Sequence, residues 1–271
     1  MTMLAAIQMV SSADVDANLA TAARLISDVV TRGAQFVALP EYFAQLGAAR
    51  EALLQIAEHD GDGRIQHFLA DTAARYGIWL LGGTVPILAS GGTHVRNASC
   101  LIGPDGALIA RYDKMHLFAF DDGQDAYDEA AILEAGDLPV VATAAHLRVG
   151  LSVCYDVRFP ELYRAMQSSN GQAPLDLICV PAAFTHVTGR DHWELLLRAR
   201  AIENQCYVLA PAQGGIHADG RRTWGHSMII DPWGDVLSTI PEGEGSCMAR
   251  FDRARLDDVR RRLPALQHRL L

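Results

Sequence analysis

The chain has 271 residues, half of them hydrophobic and 20% charged, with a formal net charge of -9 and a pI near 5.5. That length suffices for a large buried core, whereas the acidic balance excludes nucleic acid and anionic membrane surfaces as natural partners, both being polyanions. No stretch reaches the roughly 18 apolar residues that span a bilayer, and five scattered cysteines without a C-x-x-C pair (Cys100, Cys154, Cys179, Cys206, Cys247) indicate a reducing, cytoplasmic setting with no zinc site.

In chain order, residues 3 to 10 read as a first strand with no basic leader ahead of it. Leu19, Ala22, Ala23, Ile26, Val29 and Val30 then recur at helical spacing until Gly33. Ala34 to Leu39 form a second strand ending in Pro40-Glu41, which sets a carboxylate just past a strand end, where functional groups gather in layered α/β proteins. A helix over 64–75, a strand from Ile78 to Thr84 and a hairpin of 97–103 and 107–111 around Pro104-Asp105-Gly106 follow. The sequon Asn97-Ala98-Ser99 is expected to be idle without a secretory route.

The apolar run Val149 to Val153 reads as a buried strand, with Cys154 at its end and a helix starting near Pro160. Leu175 to Val180 is a strand, His192 to Gln205 a helix, Cys206 to Ala210 a strand, and Ser227 to Ile230 with Val236 to Ile240 a hairpin around Asp231-Pro232-Trp233-Gly234. Arg260, Arg261 and Arg262 read as a solvated helix face. Strands followed by proline recur at Leu39-Pro40, Val180-Pro181 and Ala210-Pro211, which suggests two similar halves. The pattern predicts one α/β domain over residues 1–271, a four-layer α-β-β-α sandwich of two mixed sheets with helices outside.

Cys154 has two readings. It is a small buried hydrophobe, or a nucleophile held on rigid backbone beside the N–H groups of the following turn. A thiol of ordinary pKa, about 8.5, is mostly protonated at neutral pH, so a nucleophile needs a base. Glu41 is a candidate for that role, and Lys114, in Tyr112-Asp113-Lys114-Met115-His116-Leu117-Phe118, is a candidate for stabilising an oxyanion. Singly, each reads as a surface charge.

Together these residues resemble the nitrilase superfamily of carbon-nitrogen hydrolases. Its Glu-Lys-Cys triad falls on Glu41 in Leu39-Pro40-Glu41, Lys114 in Asp113-Lys114-Met115-His116-Leu117, and Cys154 in Cys154-Tyr155-Asp156-Val157-Arg158-Phe159-Pro160-Glu161, with a second glutamate at Glu129. Ala119 and Ala130 depart from the pattern, where an acidic residue and a serine are common. The Cys-Tyr-Asp-x-Arg-Phe-Pro-Glu form resembles the small-amidase branch. His192 to Glu203, Ala212-Gln213-Gly214, Gly225-His226-Ser227-Met228, Asp231-Pro232-Trp233-Gly234 and Leu263 to Arg269 refine the match.

The resemblance implies a cofactor-independent amidase working through a Cys154 thioester, with Glu129 supporting the triad and the Tyr155 N–H in the oxyanion site. It implies deaminated glutathione as substrate, or alternatively 2-oxoglutaramate or another small amide, and a homodimer. An anionic substrate calls for a local cation, and Arg158 is the candidate, by a two-pronged carboxylate grip. The alternative is an ion pair with Glu161 or Asp156. Phe184 and Thr188 are candidate pocket walls.

Other chemistries fare worse. His192 with Glu194, and His217 with His226, lack metal-ligand spacing, Gly82-Gly83 and Gly91-Gly92 lack a phosphate-loop context, and no G-x-S-x-G is present. A catalytically inactive interaction module is the remaining reading, against which the presence of all four candidate catalytic residues counts.

Overall fold

The computed structural model describes residues 2–48, 51–121, 123, 126–167 and 173–270. The first half runs β1 (Met3–Gln8), α1 (Val15–Thr31), β2 (Phe36–Ala38), a single turn α2 (Ala52–Gln55), α3 (Arg64–Tyr76), β3 (Trp79–Leu81), β4 (Val85–Leu88), β5 (Val95–Ile102) and β6 (Leu108–Asp113). A small hairpin, β7 (Ala119–Asp121) and β8 (Ala126–Asp128), leads to the second half. That half holds β9 (Val140–Ala144), β10 (Leu147–Leu151), α4 (Pro160–Met166), β11 (Leu177–Cys179), α5 (His186–Asn204), β12 (Tyr207–Ala210), β13 (Gly214–Ile216), β14 (Arg222–Trp224), β15 (Ser227–Ile230), β16 (Val236–Ile240), β17 (Gly245–Arg250) and α6 (Arg253–Arg262).

Two large sheets form, one ordered β17-β1-β2-β3-β5-β4 with β6 on β5, the other β16-β15-β12-β11-β10-β9. Each centres on three parallel strands, β1-β2-β3 and β10-β11-β12, flanked by antiparallel ones. The paired halves suggested by the strand-proline repeats thus have a counterpart in topology. The alternation of side chains along a strand accounts for the layering. In β1, Leu4 and Ala6 join a core shared with residues of the second sheet such as Val149 and Ile178, while Ala5 and Ile7 join a second core with Leu19, Ile26 and Leu69 of α1 and α3. Both faces are buried, so the strand reads as a continuous apolar run. Trp193 and Leu197 of α5 pack into the shared core from the second sheet's side. This is the α-β-β-α arrangement. No helix among the described residues is long and apolar enough to cross a membrane.

Local chemistry fixes the element ends. Asp14 caps α1 by accepting from Ala17 N at 3.2 Å, and α3 stops at Gly77, whose φ of 63° closes the helix in a left-handed cap. The helix expected from His192 starts six residues earlier, at His186, after an extended Thr185. Val187, Thr188 and Gly189 are poor helix formers that masked its first turn. The strand expected through Thr84 breaks after Leu81, where Gly83 turns left-handed at a place where any β-carbon would collide with the carbonyl of Pro40. Arg260 corrects the solvated-face reading of the C-terminal arginines. Its guanidinium is bonded to the carbonyls of Gln205 and Leu175 and ties α6 to the second sheet, whereas Arg261 and Arg262 pair locally with Asp258.

Candidate active site

The facing sheets bring together the carboxyl ends of β2, β10, β11 and β12, and the candidate triad lies where they meet. Glu41 follows β2, and its side chain is almost completely buried. Its Oε2 accepts from Ala183 N, beyond β11, at 2.9 Å, and its Oε1 accepts from Asn97 Nδ2 and Lys114 Nζ, each at 2.9 Å. The carbonyl of Glu41 accepts from Gln213 Nε2, beyond β12, at 3.0 Å. Both sheets therefore hold one carboxylate.

Lys114 follows β6, with its backbone N–H on the carbonyl of Asn97 at 3.1 Å. Its ammonium is fully enclosed and lies between Glu41 and Glu129, whose oxygens stand 3.0 and 2.8 Å away. Glu129 opens the turn after β8 and also accepts from Tyr42 Oη at 2.9 Å and Phe118 N at 2.7 Å. Burial alone would lower the Lys114 pKa, but Glu129 and Glu41 outweigh it and hold the group well above its usual value, as a fixed cation.

Cys154 follows β10 and begins a 3₁₀ turn, Cys154–Arg158, with φ of 49°, left-handed for a side-chain-bearing residue. Such a conformation costs about 1–3 kcal/mol and is stored where neighbours over-determine it. Cys154 N donates to the carbonyl of Pro181 at 2.8 Å, and Asp156 ties down the turn through Val153 N at 2.8 Å and Tyr112 Oη at 2.7 Å. The thiol lies beside the Glu41 carboxylate, and each group shifts the other's protonation. Burial first, then the Glu41 charge, raises its pKa well above the ordinary thiol value despite Lys114, so the resting thiol is protonated. Glu41 is itself raised, by burial most, with Lys114 opposing and Glu129 reinforcing. A protonated thiol beside an unusually basic carboxylate is poised for transfer between them.

Beside the thiol a cavity opens to solvent, lined by Glu41, Glu129, Cys154, Tyr155, Phe184 and Thr188 among others. Tyr155, Phe184 and Thr188, candidate substrate contacts from the sequence, therefore face this cavity. Arg158 packs against two of these wall residues and acts electrostatically on Cys154. Its guanidinium lies over the rings of Phe184 and Tyr155, at 5.0 and 5.7 Å, and contacts His192 Nδ1 at 3.3 Å. Asp156 is engaged instead by His116, at 2.7 Å, as well as by Tyr112 and Val153, so the ion pair with Asp156 that was the alternative reading of Arg158 does not form. Ala119 and Ala130, the two departures from the family pattern, are both exposed and outside the cavity wall.

Several residues escaped the sequence reading. Asn97 reads as an idle sequon, yet it is buried with its amide on Glu41. Tyr42, one residue past the predicted Glu41, takes a φ of 55° and bonds Glu129. Gln213 stands in the Ala-Gln-Gly motif, but its bonds to Ser11 and Glu41 need the fold to be seen. Arg221, on the β13–β14 turn, also lines the cavity.

The chain is similar to known proteins over almost its whole length. Residues 3–261 match the carbon-nitrogen hydrolase family. Over 271 residues the chain is 44% identical to the deaminated glutathione amidase of Synechocystis sp., covering 98% of this chain and 97% of that one. It is 38% identical to the deaminated glutathione amidase of Homo sapiens, covering 98% of this chain and 82% of the relative. The crystal structure of the C. elegans NitFhit protein superposes with a TM-score of 0.90 at 35% identity, covering 99% of this chain and 65% of that longer one.

Proposed function

Because this chain belongs to the carbon-nitrogen hydrolase family, we propose that it is a thiol-dependent amidase acting on deaminated glutathione, cleaved to 2-oxoglutarate and cysteinylglycine. The observation that carries the chemistry is the enclosed contact of Glu41 with both Cys154 and Lys114 at the floor of an open cavity. The substrate assignment is supported by full-length relatives of that name in a cyanobacterium and in a mammal.

In this reading Glu41 takes the Cys154 proton as the sulfur attacks the amide carbonyl. A C–S bond forms and the carbonyl oxygen becomes an oxyanion. Lys114 supplies a positive charge beside it, and the Tyr155 N–H, in the first turn of the 3₁₀ segment where amides lack intrahelical acceptors, donates a hydrogen bond. The intermediate collapses by breaking the C–N bond, and protonated Glu41 gives its proton to the departing nitrogen, which therefore leaves as a neutral amine. Water then gives a proton to Glu41 and attacks the thioester. The acid is released and the proton returns to Cys154. Glu129 anchors Lys114 throughout, so that Glu41 is not its sole counter-ion.

The test is 2-oxoglutarate release from deaminated glutathione and from 2-oxoglutaramate, with Cys154→Ala as blank. Higher kcat/KM on deaminated glutathione is expected. Preference for 2-oxoglutaramate would move the assignment to an omega-amidase with the same mechanism, and no Cys154-dependent turnover of either would overturn the substrate reading.

A further inference from the structure

A substrate bearing carboxylates must enter a protein of net charge -9, through a cavity whose wall carries Glu41, Asp128 and Glu129. Lys114 does not offset that repulsion, since two carboxylates already share its ammonium. Arg158 is placed elsewhere: its guanidinium packs over Phe184 and Tyr155 and acts electrostatically on Cys154, so its charge belongs to the nucleophile's end of the cavity. Among the described lining residues one cation remains, Arg221.

Its backbone is held in place before any ligand arrives. His217 N donates to the carbonyl of Arg221 at 2.8 Å, and Arg221 N donates to Asp219 Oδ1 at 3.0 Å. The buried ring of His217 bridges the Ser11 carbonyl and Thr223 Oγ1, each at 2.8 Å. Burial lowers the His217 pKa, so this anchor is a neutral ring. The guanidinium lies over the Tyr127 ring at 5.8 Å, and its ion pair with Asp219, at 3.4 Å, is loose and half-exposed. A guanidinium has five donors, so a carboxylate gripped by two of them can add to this contact.

Position separates Arg221 from the nucleophile. From Tyr155, next to the nucleophile, an aromatic wall runs to Phe118 at 5.1 Å and on to Tyr127 at 5.7 Å, with Arg221 at its far end. A dipeptide leaving group places its terminal carboxylate about 7 Å beyond the scissile nitrogen when extended. We propose that Arg221 binds the terminal carboxylate of the leaving group, making the enzyme selective for amides whose departing amine ends in a free acid. The inference rests on the assignment of deaminated glutathione above.

The experiment compares kcat/KM for deaminated glutathione, its C-terminal carboxamide and 2-oxoglutaramate, using wild type, Arg221→Gln and Arg221→Lys. Wild type should favour the acid over the carboxamide by about 10- to 100-fold, the range of a charge-assisted hydrogen bond. Arg221→Gln should erase that preference, largely through KM, while leaving the carboxamide and 2-oxoglutaramate within about two-fold of wild type. Arg221→Lys should recover part of it. An acid preference that survives Arg221→Gln, or equal loss on all three substrates, overturns the inference. Loss on 2-oxoglutaramate as large as on the acid would assign Arg221 to the acyl carboxylate and also overturn it. If wild type turns over neither deaminated glutathione nor its carboxamide, the substrate reading fails first, a result distinct from any of these.

Discussion

Glu129 holds the ammonium of Lys114 with both carboxylate oxygens, at 3.0 and 2.8 Å, while the same nitrogen reaches Glu41 at 2.9 Å. Two anions share one enclosed cation, which leaves a net negative charge beside the thiol. In that balance Glu129 keeps Lys114 from neutralising Glu41 alone, and so keeps Glu41 basic.

Glu129→Gln tests that balance through pH. Removing its charge takes away one of the influences that raise Glu41, after burial and against Lys114. The Glu41 pKa should fall, and the acid limb of the kcat/KM profile should move to lower pH. The rate at neutral pH should drop about 10²-fold as the base weakens. A profile with lower amplitude but an unmoved acid limb would mean that Glu129 does not set the basicity of Glu41.

Glu41 itself should trade stability for activity. Its pKa is raised in the folded protein, chiefly by burial, so it binds its proton more tightly folded than unfolded. Its stabilising contribution is full below the usual carboxylate pKa of 4.5 and is lost as pH rises through the higher folded value. Glu41→Gln removes that penalty, while Lys114 keeps Glu129 as counter-ion. The variant should lose at least about 10³-fold in rate yet melt higher at pH 7, by roughly 2–4 °C per kcal/mol gained. The gap should close on acidification. Melting below wild type at pH 7 would show that ionised Glu41 stabilises the fold.

Cys154 should be the first thiol to react with iodoacetamide. All five cysteines are buried, but only Cys154 lines the cavity. Cys100 and Cys247 are pushed up to about 12 by burial and lie in packed cores. Cys154 is also raised, but it has a base in contact to take its proton. Peptide mapping after brief alkylation should find the label there, and Glu41→Gln should slow it by an order of magnitude or more. Label spread evenly over the cysteines would speak for the inactive-module reading.

Periodicity marks the strand ends where Glu41 and Cys154 stand, but it was the resemblance carried by the local motifs around Glu41, Lys114 and Cys154 that joined the three as candidates. Glu41 comes after Leu39-Pro40 and Cys154 after an apolar run. Residues that act only by meeting a distant partner were not legible. Asn97 reads only as an idle sequon until the fold turns its amide to a glutamate 56 residues away. Arg221 carries no motif, and nothing local distinguishes it from Arg222, whose exposed side chain pairs with Glu242. Short or glycine-bearing strands such as β13 were missed because their partners, not their own residues, define them.

Asp156 is the residue by which the fold sets the Cys154 turn, and its loss should be expensive. It is fully buried, and its two oxygens accept from Val153 N at 2.8 Å, Tyr112 Oη at 2.7 Å, His116 N at 3.1 Å and the His116 ring at 2.7 Å. That ring stacks on Phe159 with centroids 3.7 Å apart, so the strand end, the segment after β6 and the end of the 3₁₀ turn converge on one carboxylate. Asp156→Ala strands several donors in a closed space, at a cost of about 3 kcal/mol, or roughly 6–12 °C in Tm. Asp156→Asn keeps acceptor capacity for some of them and should fall between. Because the left-handed Cys154 is held by this network, kcat should fall in both variants even at temperatures where each remains folded. Full kcat in folded Asp156→Ala would show that the bond from Cys154 N to Pro181 positions the nucleophile alone.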